Sequence, residues 1–160
     1  MSEGAARRGD SRPEDQVSSQ DAPDSGSVSN ADTYQLYQRG LDLLGRGSAA
    51  AAAQLLARAA DAEPQSRSVL EALARAQFDA GQYQEAAGNF RRIVDASPSD
   101  DYAQFGLGLA LSRTGDHGAA AEHLALAAAM RPNLRHYTDA LRNVRATLRA
   151  RSARREGGSD

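Results

Sequence analysis

The chain has 160 residues, of which 41% are hydrophobic and 5% aromatic, with a formal net charge of −2 and neither Cys nor Trp. That length holds one domain with room for a tail, and such a composition builds its core chiefly from Ala and Leu, which suits closely packed helices. The lack of Cys excludes a disulfide frame, a thiol nucleophile and a Cys-ligated metal, the near-neutral total gives no global pull toward nucleic acid or membrane, and the 19 basic residues are all Arg, so lysine chemistry is unavailable.

In chain order, residues 1–31 come first and are rich in Ser, Asp, Gly and Pro. Through residue 32 the segment carries seven acidic groups against three Arg, and up to residue 30 its only β-branched residues are Val17 and Val28. It has too little apolar surface to offset the entropy of ordering it, so the composition predicts a disordered acidic tail. Arg7, Arg8 and Arg12 are followed by no apolar stretch, so the segment does not read as a secretory signal. No apolar run approaches the roughly 20 residues needed to cross a bilayer. The expectation is a cytoplasmic protein without membrane association.

A long helical pattern follows, punctuated at one interval. Pro64, Pro98 and Pro132 are 34 residues apart, and so are Gly47, Gly81 and Gly115. Ala52, Ala86 and Ala120 share that period, as do the large residues Leu56, Phe90 and Leu124. Four residue types on one period mark an internal repeat. Within each unit a first helix, such as 33–44 or 101–113, runs to the Gly, where φ > 0 turns the chain at low cost. A second helix, such as 48–60 or 82–94, stops before the Pro, which cannot continue a helix interior. The Ala early in each second helix allows close helix–helix approach, where a bulkier residue would overpack the contact by about 1–3 kcal/mol. After Pro132, the apolar residues Leu134, Tyr137, Leu141, Val144 and Leu148 recur at spacings of three and four, predicting an end helix over about 134–150. A second frayed tail is expected at 152–160, which ends in Gly157, Gly158 and Ser159.

A 34-residue period of paired helices resembles the tetratricopeptide repeat, over roughly residues 33–134. The small-residue slot on the first helix is filled by Gly40, Ala74 and Gly108, and the closing Pro is present in all three units. Two positions depart from the family pattern. Gln104 stands where the first two units have Leu36 and Leu70, and Gln77 occupies another normally bulky slot. The resemblance implies an all-α fold, an α-α superhelix (a TPR solenoid) of three helix-turn-helix repeats plus one end helix, spanning 32–151. The repeats would fall at about 33–66, 67–100 and 101–134. The end helix, with one apolar and one polar face, would cover the last repeat, and three repeats are about the minimum for independent stability.

The family's concave surface, lined by the first helix of each pair, is its usual binding site. By the repeat register that face carries Tyr34, Tyr37 and Leu41, then Glu71, Arg75 and Phe78, then Tyr102, Phe105 and Leu109. Aromatic and Arg side chains commonly anchor protein contacts, so the implied function is a non-enzymatic adaptor that holds a partner's peptide or amphipathic helix. Phe105, beside Gln104, has a second reading as a core residue. Family members that grip the acidic C-terminus of heat-shock chaperones use cationic and amide side chains at set positions. Here those positions hold Tyr37, Leu41, Ala72, Tyr102 and Gly106, none of which can clamp a carboxylate.

Other motifs carry less. His117, His123 and His136 show no i, i+4 pairing and have no Cys to complete a zinc set, so surface or partly packed His is the plain reading and no metal or cofactor is expected. Gly45 to Ser48 lacks the Gly-Lys-Ser/Thr ending of a phosphate loop, and Gly106 and Gly108 lie inside a helix rather than after a strand. Residues 131–155 carry eight Arg against the single acid Asp139. Arg142, Arg145 and Arg149 are either the solvated face of an end helix or a strip for an anion, a nucleic acid or an acidic protein. No interleaved aromatic supports base stacking there.

Overall fold

The computed structural model describes residues 28–158. The acidic tail predicted for 1–31 therefore lies, apart from its last four residues, outside the described residues. Seven α-helices follow one another: α1 (Asn30–Gly45), α2 (Ala49–Ala62), α3 (Arg67–Asp79), α4 (Tyr83–Ala96), α5 (Asp101–Thr114), α6 (His117–Met130) and α7 (Arg135–Gly157). Each packs on the next, and α1, α3, α5 and α7 also touch in series, which stacks three hairpins and an end helix into a solenoid.

Local chemistry sets the element ends. Ser29 caps α1 by accepting the Asp32 N–H at 3.2 Å, so that helix begins at Asn30, inside the stretch assigned by composition to the tail. Asp100 caps α5 through the Ala103 N–H at 3.0 Å, and Asp116 caps α6 through the Ala119 N–H at 3.2 Å. The turns between paired helices hold Gly47, Gly81 and Gly115 at φ of 80°, 80° and 94°, a region where an L side chain would be strained.

The periodic small residues let paired helices approach. A Cβ added to Gly40 would lie 2.5 Å from Leu56 Cγ, and one added to Gly108 would lie 2.6 Å from Leu124 Cγ. Leu56, Leu107 and Leu124 are fully buried, as are Ala52, Ala74, Ala86 and Ala120. The repeats are also tied at their edges. Arg67 Nε donates to Asp100 Oδ2 at 2.7 Å, linking the starts of α3 and α5. Burial works to raise the Asp100 carboxyl, but the Arg67 guanidinium and the Ala103 N–H outweigh it and hold the group below its ordinary range.

The two departures from the family pattern are resolved by hydrogen bonds. Gln104 is 2% exposed; its Nε2 donates to Pro98 O at 2.9 Å, and its Oε1 lies 2.7 Å from His123 Nδ1. Because the amide nitrogen is committed to Pro98, the imidazole must donate through Nδ1–H. Gln77 Oε1 likewise accepts from Asn89 Nδ2 at 2.7 Å. Burial, helped by the nearby Arg91 and opposed by Glu122, lowers the His123 pKa from its ordinary 6.5. The folded chain then takes up this proton less readily than the unfolded one. The stability it contributes is complete above the ordinary value and is lost as pH falls through the folded one. Thermal melts between pH 7 and pH 5 are expected to show falling stability, with a flatter profile for His123→Gln; equal slopes would contradict the assignment.

The end helix corrects the sequence reading. It runs to Gly157 rather than stopping near residue 150, so residues 152–157, expected to fray, are helical. Ala and Arg are good helix formers, and Arg154 and Arg155 in the last turn complement the dipole. From Arg149 to Gly158 every residue is exposed, and Arg151 Nη1 reaches back to Gly115 O at 3.5 Å.

α7 is also the first helix of a fourth unit. Its buried residues Tyr137, Leu141 and Val144 stand 34 residues after the buried Ala103, Leu107 and Ala110. Its opposite face has been rewritten: Arg142 fills the slot of Gly40, Ala74 and Gly108, and Arg149 replaces the turn glycine. With that glycine gone the helix continues, and a helix packed closely on the Arg142 slot would have to bury its charge.

Candidate protein-binding groove

Because α1, α3, α5 and α7 touch in series whereas α2, α4 and α6 do not touch one another, the first helices line the inner face of the stack. The nine groove residues read from the sequence all lie on α1, α3 and α5; seven of them divide between two depressions, and Leu41 and Glu71 line neither. Tyr34, 62% exposed, and Tyr37, half-buried, border a shallow hollow closed by Glu63, Ser66, Ser68 and Val69. Leu41 is half-buried against the core. Glu71 is tied to Arg67 at 2.5 Å on its own helix.

The second depression is a cleft of about 180 Å³ between α3 and α5. Arg75, Phe78, Tyr102, Phe105 and Leu109 line it, joined by Asp79, Phe90 and Gly106, which the sequence reading left out of the site. Gly106 has a local signal in hindsight: its counterparts 34 and 68 residues earlier are Ala72 and Gln38, so this repeat alone has no side chain there. A Cβ on Gly106 would lie 2.5 Å from Phe90 Cε1 and Cζ, so its absence lets the Phe90 ring come against the α5 backbone.

The aromatic walls are fixed by their neighbours. Phe90 meets Tyr102 edge-on, with centroids 6.2 Å apart. Phe78 meets Tyr83 edge-on at 5.1 Å, and the Arg113 guanidinium lies 5.8 Å from the Phe78 centroid and 5.4 Å from that of Tyr83. Phe105 serves both of its readings: it lines the cleft, and it stacks on Tyr137 of α7 at 4.4 Å. Tyr137 in turn donates to Asp101 Oδ2 at 2.8 Å; burial, then that bond, pushes its phenol well above the ordinary range. Burial likewise raises the Tyr102 phenol, against the pull of Arg75. Both hydroxyls are neutral near neutral pH.

The Arg strip lies elsewhere, on the outer face of α7. Arg142 pairs with Asp139 at 2.8 Å, whereas Arg145 and Arg149 are exposed and make no ion pair among the described residues. Among those residues no three His, Asp or Glu side chains gather to hold a metal, and no helix is long and apolar enough to cross a membrane.

Solved structures share this architecture at low sequence identity. The first TPR of Spaghetti (RPAP3), bound to the HSP90 peptide SRMEEVD, superposes with a TM-score of 0.69 at 20% identity, covering 76% of this chain and 96% of that one. The Sgt2 TPR domain from Aspergillus fumigatus gives 0.69 at 20% identity, over 82% and 87%. The C-terminal TPR-containing domain of a putative FK506-binding protein from Plasmodium falciparum gives 0.71 at 15%, over 79% and 97%. No curated protein matches the chain in sequence. The tetratricopeptide repeat profile, however, matches residues 37–101 and again 71–135, offset by one 34-residue period. Together with the glycine turns, the closing prolines and the stacked hairpins, that match makes this chain a member of the tetratricopeptide repeat family.

Proposed function

We propose that the chain is a cytoplasmic, non-enzymatic adaptor whose inner face holds a peptide or amphipathic helix of a partner protein. The observation that carries this reading is the cleft between α3 and α5: it has aromatic walls and an exposed Arg75 at its mouth, the residue types that anchor protein contacts. The RPAP3 domain holds an acidic HSP90 peptide. For this chain that ligand is not the one proposed, since Tyr37, Leu41, Ala72, Tyr102 and Gly106 stand where the family places carboxylate-gripping side chains, and none is cationic.

For the Arg strip we infer a capping role rather than an anion site. Arg142 and Arg149 occupy the slot and the turn through which a fourth hairpin would close, and their charge suits a face of α7 turned to water. Binding to RNA or DNA would fall steeply with salt as neutralised phosphates release counterions, and no such binding is expected.

Affinity purification from the native cell, read by mass spectrometry, would identify the partner. Capture should then fall by about 30-fold or more for Tyr37→Ala, the range of an interface hot spot, and by a smaller, salt-dependent factor for the exposed Arg75→Glu. Undiminished capture by variants that keep wild-type helicity would overturn the groove reading.

A further inference from the structure

We propose that the cleft between α3 and α5 is an anchor pocket for one aromatic side chain of a helical partner segment, whose acidic and basic residues meet Arg75 and Asp79. The inference rests on the groove being a protein-binding site and specifies what that site selects. Its volume of about 180 Å³ is below the roughly 300–1,000 Å³ of small-molecule sites. It is close to the ~150 Å³ apolar cavity known to accept a benzene ring. The space therefore suits a single ring.

The lining matches that guest. Phe78, Tyr102 and Phe105 supply rings around the cleft and Phe90 closes it against Gly106, so an incoming ring finds aromatic edges and faces. Phe78 and Phe105 are already held by Tyr83 and Tyr137, so little side-chain freedom remains to be lost on binding.

The charges at the mouth orient the guest. Arg75 and Asp79 are both exposed, lie one turn apart on α3 and form no ion pair with each other among the described residues. A helix lying along α3 satisfies both by carrying an acid and a base about one turn apart, flanking its aromatic residue. Exposed charges of this kind set register and direction more than affinity.

The test is selection from a phage-displayed library of helical peptides randomised on one face. Enriched peptides should share one Phe, Tyr or Trp, with an acid and a base about a turn apart around it. Leu109→Trp, which fills the cleft, should weaken their binding at least tenfold. The double exchange Arg75→Asp with Asp79→Arg, confined to exposed positions, should enrich the reversed charge order, and it carries the test if Leu109→Trp does not fold. Peptides that lose binding on Tyr37→Ala, yet lack an aromatic residue or ignore both cleft variants, would overturn the pocket and leave the groove standing. A selection that enriches no binder, or only binders indifferent to Tyr37→Ala and to both cleft variants, would overturn the groove and the pocket together.

Discussion

Leu107→Ala is expected to destabilise the chain by about 2–5 kcal/mol, measured as a lower urea midpoint at unchanged slope. Leu107 is 0% exposed on α5, in the core series that runs from Leu73 through Leu107 to Leu141, one residue on each of α3, α5 and α7. Truncation removes its transfer free energy and leaves a cavity that neighbouring helices, already packed through Gly106 and Gly108, have little room to fill. Set against a typical total of about 5–15 kcal/mol, such a loss is large. Leu126→Ala is the matched control: Leu126 is 50% exposed on α6, and its truncation should change stability by less than about 0.5 kcal/mol. Equal effects at the two sites would mean that the helical stack is not in this register.

Ending the chain after Asn133, and so removing α7, should be more damaging still. Tyr137, Leu141 and Val144 are buried against α5 and α6, and each large apolar side chain removed from water contributes about 1.5–3 kcal/mol. Three such groups supply at most about 5–9 kcal/mol, comparable with the whole stability of a small domain. The truncated chain should lose cooperative melting or melt about 20 °C lower. It also loses the Tyr137 ring on which Phe105 stacks, so the cleft should loosen with it. Ending the chain after Ala150 removes, among the described residues, only exposed ones and should leave the midpoint within a few degrees. A severe effect of that shorter deletion would contradict the capping role assigned to the first part of α7.

The architecture was legible because one period fixed several things at once. The glycines at 47, 81 and 115 mark backbone positions that only φ > 0 satisfies, and the prolines at 64, 98 and 132 mark helix stops. The end of α7 was missed because Gly157 and Gly158 suggested fraying, whereas the Ala and Arg before them favour helix and nothing after Arg149 needs to be buried. Gln104 illustrates a different limit. A polar residue in an apolar slot signals a departure, but its partners, Pro98 O and His123, come from a loop and a neighbouring helix that helical periodicity does not pair.

For the proposed groove, the register placed nine side chains on α1, α3 and α5 but could not say which of them share a cavity. The split between the Tyr34–Tyr37 hollow and the Phe78–Tyr102 cleft depends on how far each ring is drawn into the core. Phe90 and Gly106 entered the site because a missing side chain on one helix admits a ring from another. Nothing in the spacing of a single helix records that.

The most direct test of the account is an amide chemical-shift titration of the intact chain with the partner segment identified by affinity capture. The shifts should concentrate on the inner-face helices α1, α3 and α5, around Tyr37, Arg75, Phe78, Tyr102, Phe105 and Leu109. Shifts confined to the outer face of α7, around Arg145 and Arg149, or spread over α2, α4 and α6 with the cleft unmoved, would contradict it.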